Sequence, residues 1–200
     1  THLNLKCFSL HKLPRMGITC LRLACLLLGI SSITCHPRHH FSALATGSLT
    51  LDPSNLDSNL RFSGFDAYDL TQNPELQVQG VGHKQLKSVK LQNFTVRVAK
   101  PAFGQDLTFI TSIDVYLNKD GQQGPLLAHG DSFEPTLVLV GLNVVDEELL
   151  PYVNAAATAT LRFIVKANYN TSSALGQTTD LEGSAVFDVT TTPAQTLCNN

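Results

Sequence analysis

Tryptophan is absent from the 200-residue sequence, methionine occurs once, and only four tyrosines are present. So few large aromatics count against a glycan-stacking platform as the main feature of the protein. Charge is sparse as well: 15% of residues are charged and the formal net charge is −2. Nucleic-acid binding needs clustered Lys and Arg to neutralise phosphates, and here the basic residues are scattered. Low charge combined with 43% hydrophobic residues excludes wholesale disorder, which requires the opposite balance. An even set of cysteines within a folded domain is also missing. Cys7, Cys20, Cys25 and Cys35 crowd the beginning and only Cys198 lies beyond, so a disulfide-stapled scaffold is excluded and the domain must rely on its core. One bridge, Cys35–Cys198, stays open if Cys35 is otherwise unmodified.

No acidic residue precedes Asp52, whereas Lys6, Lys12, Arg15 and Arg22 lead into the apolar run "LACLLLGISSI", Leu23 to Ile33. A bilayer span needs about 20 apolar residues. This run is too short for that, is closed by Arg22 and "HPRHH", and has the form of an export signal. Residues 1–35 are therefore expected to be a signal segment, residues 1–15 either belonging to it or extending a start at Met16. Cys35 ends the apolar run where a lipoprotein cysteine would stand and is the expected lipidation site, although Ser32-Ile33-Thr34 is a degenerate lipobox. An ordinary cleavage site competes at Ala43 to Ala45, a small-x-small pattern. Residues 36–48 are expected to form a polar tether and 193–200 a tail.

Between them, 49–192 reads as strands and turns. In "ATLRFIVKA", Ala159, Leu161, Phe163, Val165 and Ala167 share one face. "LEGSAVFDV" places Leu181, Ala185, Phe187 and Val189 inward, and "FITSIDVYL" does the same with Phe109, Ile113, Val115 and Leu117. From Leu86 to Val98 the apolar positions change from odd to even, which requires a bulge or break near Gln92–Asn93. Asp120-Gly121 marks a hairpin. "TLVLVGL", apolar on both faces, suggests a more central or edge-covered strand, and "LQVQGV" and "GSLTL" are weaker candidates. One helical turn is expected near 146–150, ended by Pro151. The expected architecture is all-β, an antiparallel two-sheet β-sandwich of immunoglobulin-like type.

The run "LKSVKLQNFTVRVAKP", then "DLTFITSIDVYLNKDGQQGPLLAHGD", then "TLVLVGLNVVDEELLPYV" and two alternating strands resembles uncharacterised bacterial exported lipoproteins with a β-sandwich domain. The resemblance covers residues 86–189, and its marks are the strand order around "LTFITSIDVYL" and the "DEELLPYV" turn. It implies export and a sandwich, and it offers no catalytic or binding residue to carry over. In a bacterial setting the sequons at Asn93 and Asn170 are chance.

Chemistry-bearing patterns are few. His36, His39 and His40 read as part of a solvated linker rather than a metal site, with no carboxylate beside them. "NKDGQQGPLLAH" lacks the glycine position and final Glu of a calcium loop. "GVGHK" lacks the spacing of a phosphate loop. His129 beside Asp131 suggests a catalytic pair, yet no nucleophile elbow accompanies it. The expected function is thus an extracytoplasmic structural or binding module, held at a bacterial membrane by a lipid anchor or free in the periplasm, with no catalytic set, cofactor or metal. Its protein or glycan partner is left open. Two alternatives stand beside it: a secreted hydrolase using His129 and Asp131, and a carbohydrate-binding sandwich using Tyr68, Tyr116, Tyr152 and Tyr169.

Overall fold

The structure is a computed structural model that describes residues 39–101, 106–119, 121–134, 138–153, 160–170 and 177–192. All of them belong to the unit His36–Asn200. Residues 1–35, expected to be a signal segment, together with His36, Ala159 and residues 193–200 with Cys198, lie outside the described residues.

Eleven strands are described: β1 (His39–Leu51), β2 (Asn59–Leu60), β3 (Tyr68–Asp69), β4 (Leu86–Val98), β5 (Ile110–Lys119), β6 (Gln122–Asp131), β7 (Leu139–Gly141), β8 (Asn143–Val144), β9 (Thr160–Leu161), β10 (Phe163–Tyr169) and β11 (Thr179–Thr191). They form one sheet in the order β1-β11-β4-β7 and another in the order β2-β10-β5-β6-β8, with β3 and β9 as a separate pair. Every pairing is antiparallel. The fold is an all-β sandwich of two sheets.

The core lies between the sheets because alternation sends one side chain in two there. Phe94, Phe187, Ile113, Val115 and Leu117 are buried, as are Leu161, Phe163, Val165 and Ala167. Aromatic rings bridge the layers: Phe163 of β10 stacks on Phe187 of β11 at 5.8 Å, and Phe65 meets both Phe94 and Phe163. The phase change in β4 is a bulge, since Val186 faces Asn93 and Phe187 faces Leu91, leaving Gln92 as the extra residue. At the hairpin between β5 and β6, Gly121 adopts φ +81° and its N–H donates to Asn118 Oδ1 at 2.9 Å.

Four expectations are corrected. The segment expected to be a tether, 36–48, is strand from His39 onward, with β1 paired to β11 along all 13 residues. Ala43, Ala45 and Gly47 point inward, and at Gly47 Phe62 and Phe65 fill the space a side chain would take. "LQVQGV" begins as a short helix, α1 (Pro74–Val78), with Asn73 Oδ1 capping the Glu75 N–H at 2.9 Å and Pro74 in the first turn. "TLVLVGL" contributes the edge strand β7, of three residues, and its Leu139 is exposed. The helical turn lies at Leu150–Tyr152 as a 3-10 turn rather than at 146–150.

Backbone before that turn is held by Glu148. Its carboxylate accepts from Ser88 Oγ at 2.6 Å, from the Val89 N–H at 2.8 Å and from the Leu150 N–H at 3.1 Å. Burial pushes the Glu148 carboxyl up, but these bonds and Lys90 outweigh it and hold the pKa below its usual value. Leu149 is thereby seated in the core and Lys90 pairs with Asp146 at 2.6 Å.

Candidate functional site

On the outer face of the sheet containing β5 and β6, Lys166 of β10, Asp114 of β5, His129 of β6 and Asn143 of β8 are successive cross-strand partners. They make one polar row across four strands. His129 Nδ1 lies 2.5 Å from Asp114 Oδ1, and Nε2 lies 3.4 Å from Oδ2 of Asp131, two residues along the same strand face. The bonds to Asp114 and then to Asp131 raise the imidazole pKa above its ordinary value. Lys166 Nζ sits 5.6 Å from the Tyr116 ring centre and donates to Gln123 Oε1 at 2.5 Å.

His129 and Asp131 therefore meet, and the closer partner of the histidine is Asp114. In the sequence Asp114 is one polar residue among several that alternate with the apolar positions of "FITSIDVYL". A histidine acting as general base must turn a free ring nitrogen toward a nucleophile. Both nitrogens of His129 face carboxylates, and Ser112, opposite Asp131, accepts from Asn168 Nδ2 at 2.8 Å. That arrangement lends the hydrolase alternative no nucleophile–base contact.

A concavity of about 480 Å³ lies on the other sheet. Thr46, Ser48, Ser63, Thr95 and Ser184 supply hydroxyls to it, and Arg97 and Glu182 supply charge. The two charges are matched to each other: Arg97 Nε donates to Glu182 Oε2 at 2.8 Å, and Nη2 bonds the same oxygen. Ser48 Oγ and Ser63 Oγ are 3.0 Å apart. A second concavity, about 280 Å³, runs from Asn59 to Asp66 against β10. Neither is lined by His129 or Asp131.

The tyrosines do not assemble into a platform. Tyr68 stacks on Phe187 and donates to the Leu44 carbonyl at 3.0 Å. Tyr169 stacks on Phe109 and donates to the Asp57 carbonyl at 2.8 Å, and burial pushes its phenol up to about 12. Tyr116 stands beside Lys166, and Tyr152 bonds Glu147. The histidines expected in a linker are separated by the strand: His39 stacks on Phe41, whereas His40 Nδ1 faces Asp188 at 3.5 Å. Among the described residues no group of three or more His, Cys, Asp or Glu converges to hold a metal. No helix among them is long and apolar enough to cross a membrane.

No protein-family model matches the sequence, and no curated protein matches it. A solved chain of Desmodium yellow mottle tymovirus is similar over 98% of this chain and 95% of that one, at 13% identity and a TM-score of 0.25. A likeness of that size carries nothing about function.

Proposed function

We propose that the protein is an exported β-sandwich that acts as a non-enzymatic binding module, anchored to a bacterial membrane through lipid on Cys35. The apolar run Leu23 to Ile33, its basic approach and the cysteine that follows support the anchor. The observation that carries the binding reading is the hydroxyl-lined concavity over β1, β11 and β4, where Arg97 and Glu182, the charges among its described lining residues, already neutralise each other. A surface of that kind suits a neutral polar ligand held by many hydrogen bonds, each of modest worth.

The strand β1 changes the geometry of the anchor. Cys35 lies four positions before His39, and four residues reach at most ~14 Å when extended. In this reading the anchor would hold the sandwich close to the headgroups instead of on a long tether. Cleavage after Ala45 is disfavoured on the same ground, because it removes His39 to Ala45 from their pairing with Ala185 to Thr191. Metabolic labelling with a radioactive fatty acid tests the anchor: wild type takes up label and Cys35→Ser does not. Unlabelled wild type overturns it.

A glycan ligand is the second reading, favoured by the same ring of hydroxyls. Without an exposed aromatic platform its affinity rests on hydrogen bonds alone, and a glycan-array screen in which Ser184→Val abolishes any hit tests it.

A further inference from the structure

We infer that the second concavity, between residues 59–66 and β10, binds a small zwitterion that carries an α-carboxylate, an α-ammonium and an apolar side chain, either a free amino acid or a dipeptide. It shares no lining residue with the hydroxyl-lined concavity, and the inference is independent of the anchor.

The concavity arises where the chain leaves the sheet. β2 pairs with β10 only at Leu60–Val165 and Asn59–Lys166. Beyond Leu60 the chain departs from β10: Ser63 bridges to Ser48 of the other sheet, and the Phe163 N–H is met by the Phe65 carbonyl at 3.1 Å instead of by a continuation of β2. The space left, about 280 Å³, is at the lower end of ligand pockets, about 300 Å³, and fits a small solute rather than a folded partner. Its apolar wall is built by Phe65 and Phe163, which meet edge-on at 5.7 Å, with Leu60 and Val165 buried and Ile164 half-buried.

Two exposed residues of opposite charge, Arg61 and Asp66, line the same space. Among the described residues neither side chain has a hydrogen-bond or ion-pair partner, and they do not pair with each other. The contrast is with Arg97 and Glu182 on the other sheet, which close on one another. An apolar wall concentrates the field of charges beside it, and a guanidinium fork offers two parallel N–H donors to a carboxylate. Opposite charges held apart beside an apolar wall are the complement of a molecule with both charges at one end and hydrocarbon at the other. Asp66 repels a plain anion and Arg61 a plain cation, so the pair selects the zwitterion. Asn118 adds a donor, because its Oδ1 is taken by the Gly121 N–H at 2.9 Å and its Nδ2 is left for the ligand.

The probes are L-leucine and L-leucyl-L-leucine, titrated into the full chain in detergent and followed by backbone and arginine side-chain ¹H–¹⁵N spectra. Expected is a saturating shift of the Arg61 Nε resonance and of the amides from Leu60 to Asp66 and from Phe163 to Val165, with one probe or both; the tighter probe tells the free amino acid from the peptide. Isocaproate, which is leucine without its ammonium, and isoamylamine, which is leucine without its carboxylate, bind more weakly by about tenfold or more, the loss of one charge-assisted hydrogen bond. Arg61→Gln and Asp66→Asn weaken the tighter probe by a similar factor. Both positions are exposed, so backbone spectra of the variants away from the concavity match wild type and lost binding is not lost folding. No saturating shift with either probe at millimolar concentration overturns the inference. Isocaproate binding as tightly as leucine overturns it too, since the site then takes any anion. So does a shift that survives both substitutions unchanged, which places the binding elsewhere.

Discussion

Gly47 and Gly183 face each other as cross-strand partners in β1 and β11, and the side chains they lack leave the space that Phe62 and Phe65 occupy. A Cβ on Gly47 would lie 2.5 Å from the Ser63 carbonyl oxygen, and one on Gly183 would lie 2.8 Å from Phe65 Cε2. The segment that fills the dent also joins the layers. Ser63 N–H donates to Ser48 in one sheet at 2.9 Å, and the Phe65 carbonyl accepts from Phe163 in the other at 3.1 Å.

Gly183→Val should therefore destabilise the protein by about 1–3 kcal/mol, the usual cost of overpacking a filled core. Gly141→Ala, at a glycine with open space around it, is the control and should change little. Denaturant melts measure both. Equal midpoints for the two variants contradict the packing of Phe65 beneath β11.

Phe163→Ala should cost about 3–5 kcal/mol, since the residue is 6% exposed, meets Phe65 edge-on and stacks on Phe187. Arg162→Ala, at the exposed break between β9 and β10, should fall within about 0.5 kcal/mol of wild type. The same melts decide this pair, and similar small losses for both would displace the register of β10.

Glu148 predicts an acid-side dependence. Its folded pKa is depressed, so the stability it contributes is present above the unfolded value and is lost as pH falls through the folded one. Glu148→Gln should lower stability at neutral pH by about 1–3 kcal/mol, because the Val89 and Leu150 N–H groups lose their charged acceptor. The gap between variant and wild type should narrow below pH 4.5. A constant gap from pH 7 to pH 3 contradicts this role.

Much of the fold is legible in the sequence wherever large apolar residues alternate with polar ones, as in β5, β10 and β11. β1 escapes because its inward positions 43, 45 and 47 carry Ala, Ala and Gly, which hide a period of two, and its start carries histidines that read as linker. α1 is mistaken for strand because Leu76 and Val78 alternate. Only Leu76 is buried, Val78 is 84% exposed, and the readable signal is Asn73 followed by Pro74.

The approach of Asp114 to His129 is hidden for a different reason. Counting back from the hairpin at Lys119–Gln122 places Asp114 opposite Leu127, on the wrong face of β6. Two register shifts, between Val115 and Tyr116 and between Tyr116 and Asn118, move the partner to His129. The sequence around "PLLAHG" has no alternation to announce them.

The most direct test of the account is the intact mass of the mature protein purified from membranes of its host. The account predicts a chain that begins at Cys35, carries the added mass of a diacylglyceryl group and an N-acyl chain, and keeps every residue of β1. A chain that begins at Thr46, or one that still carries Leu23 to Ile33, contradicts it.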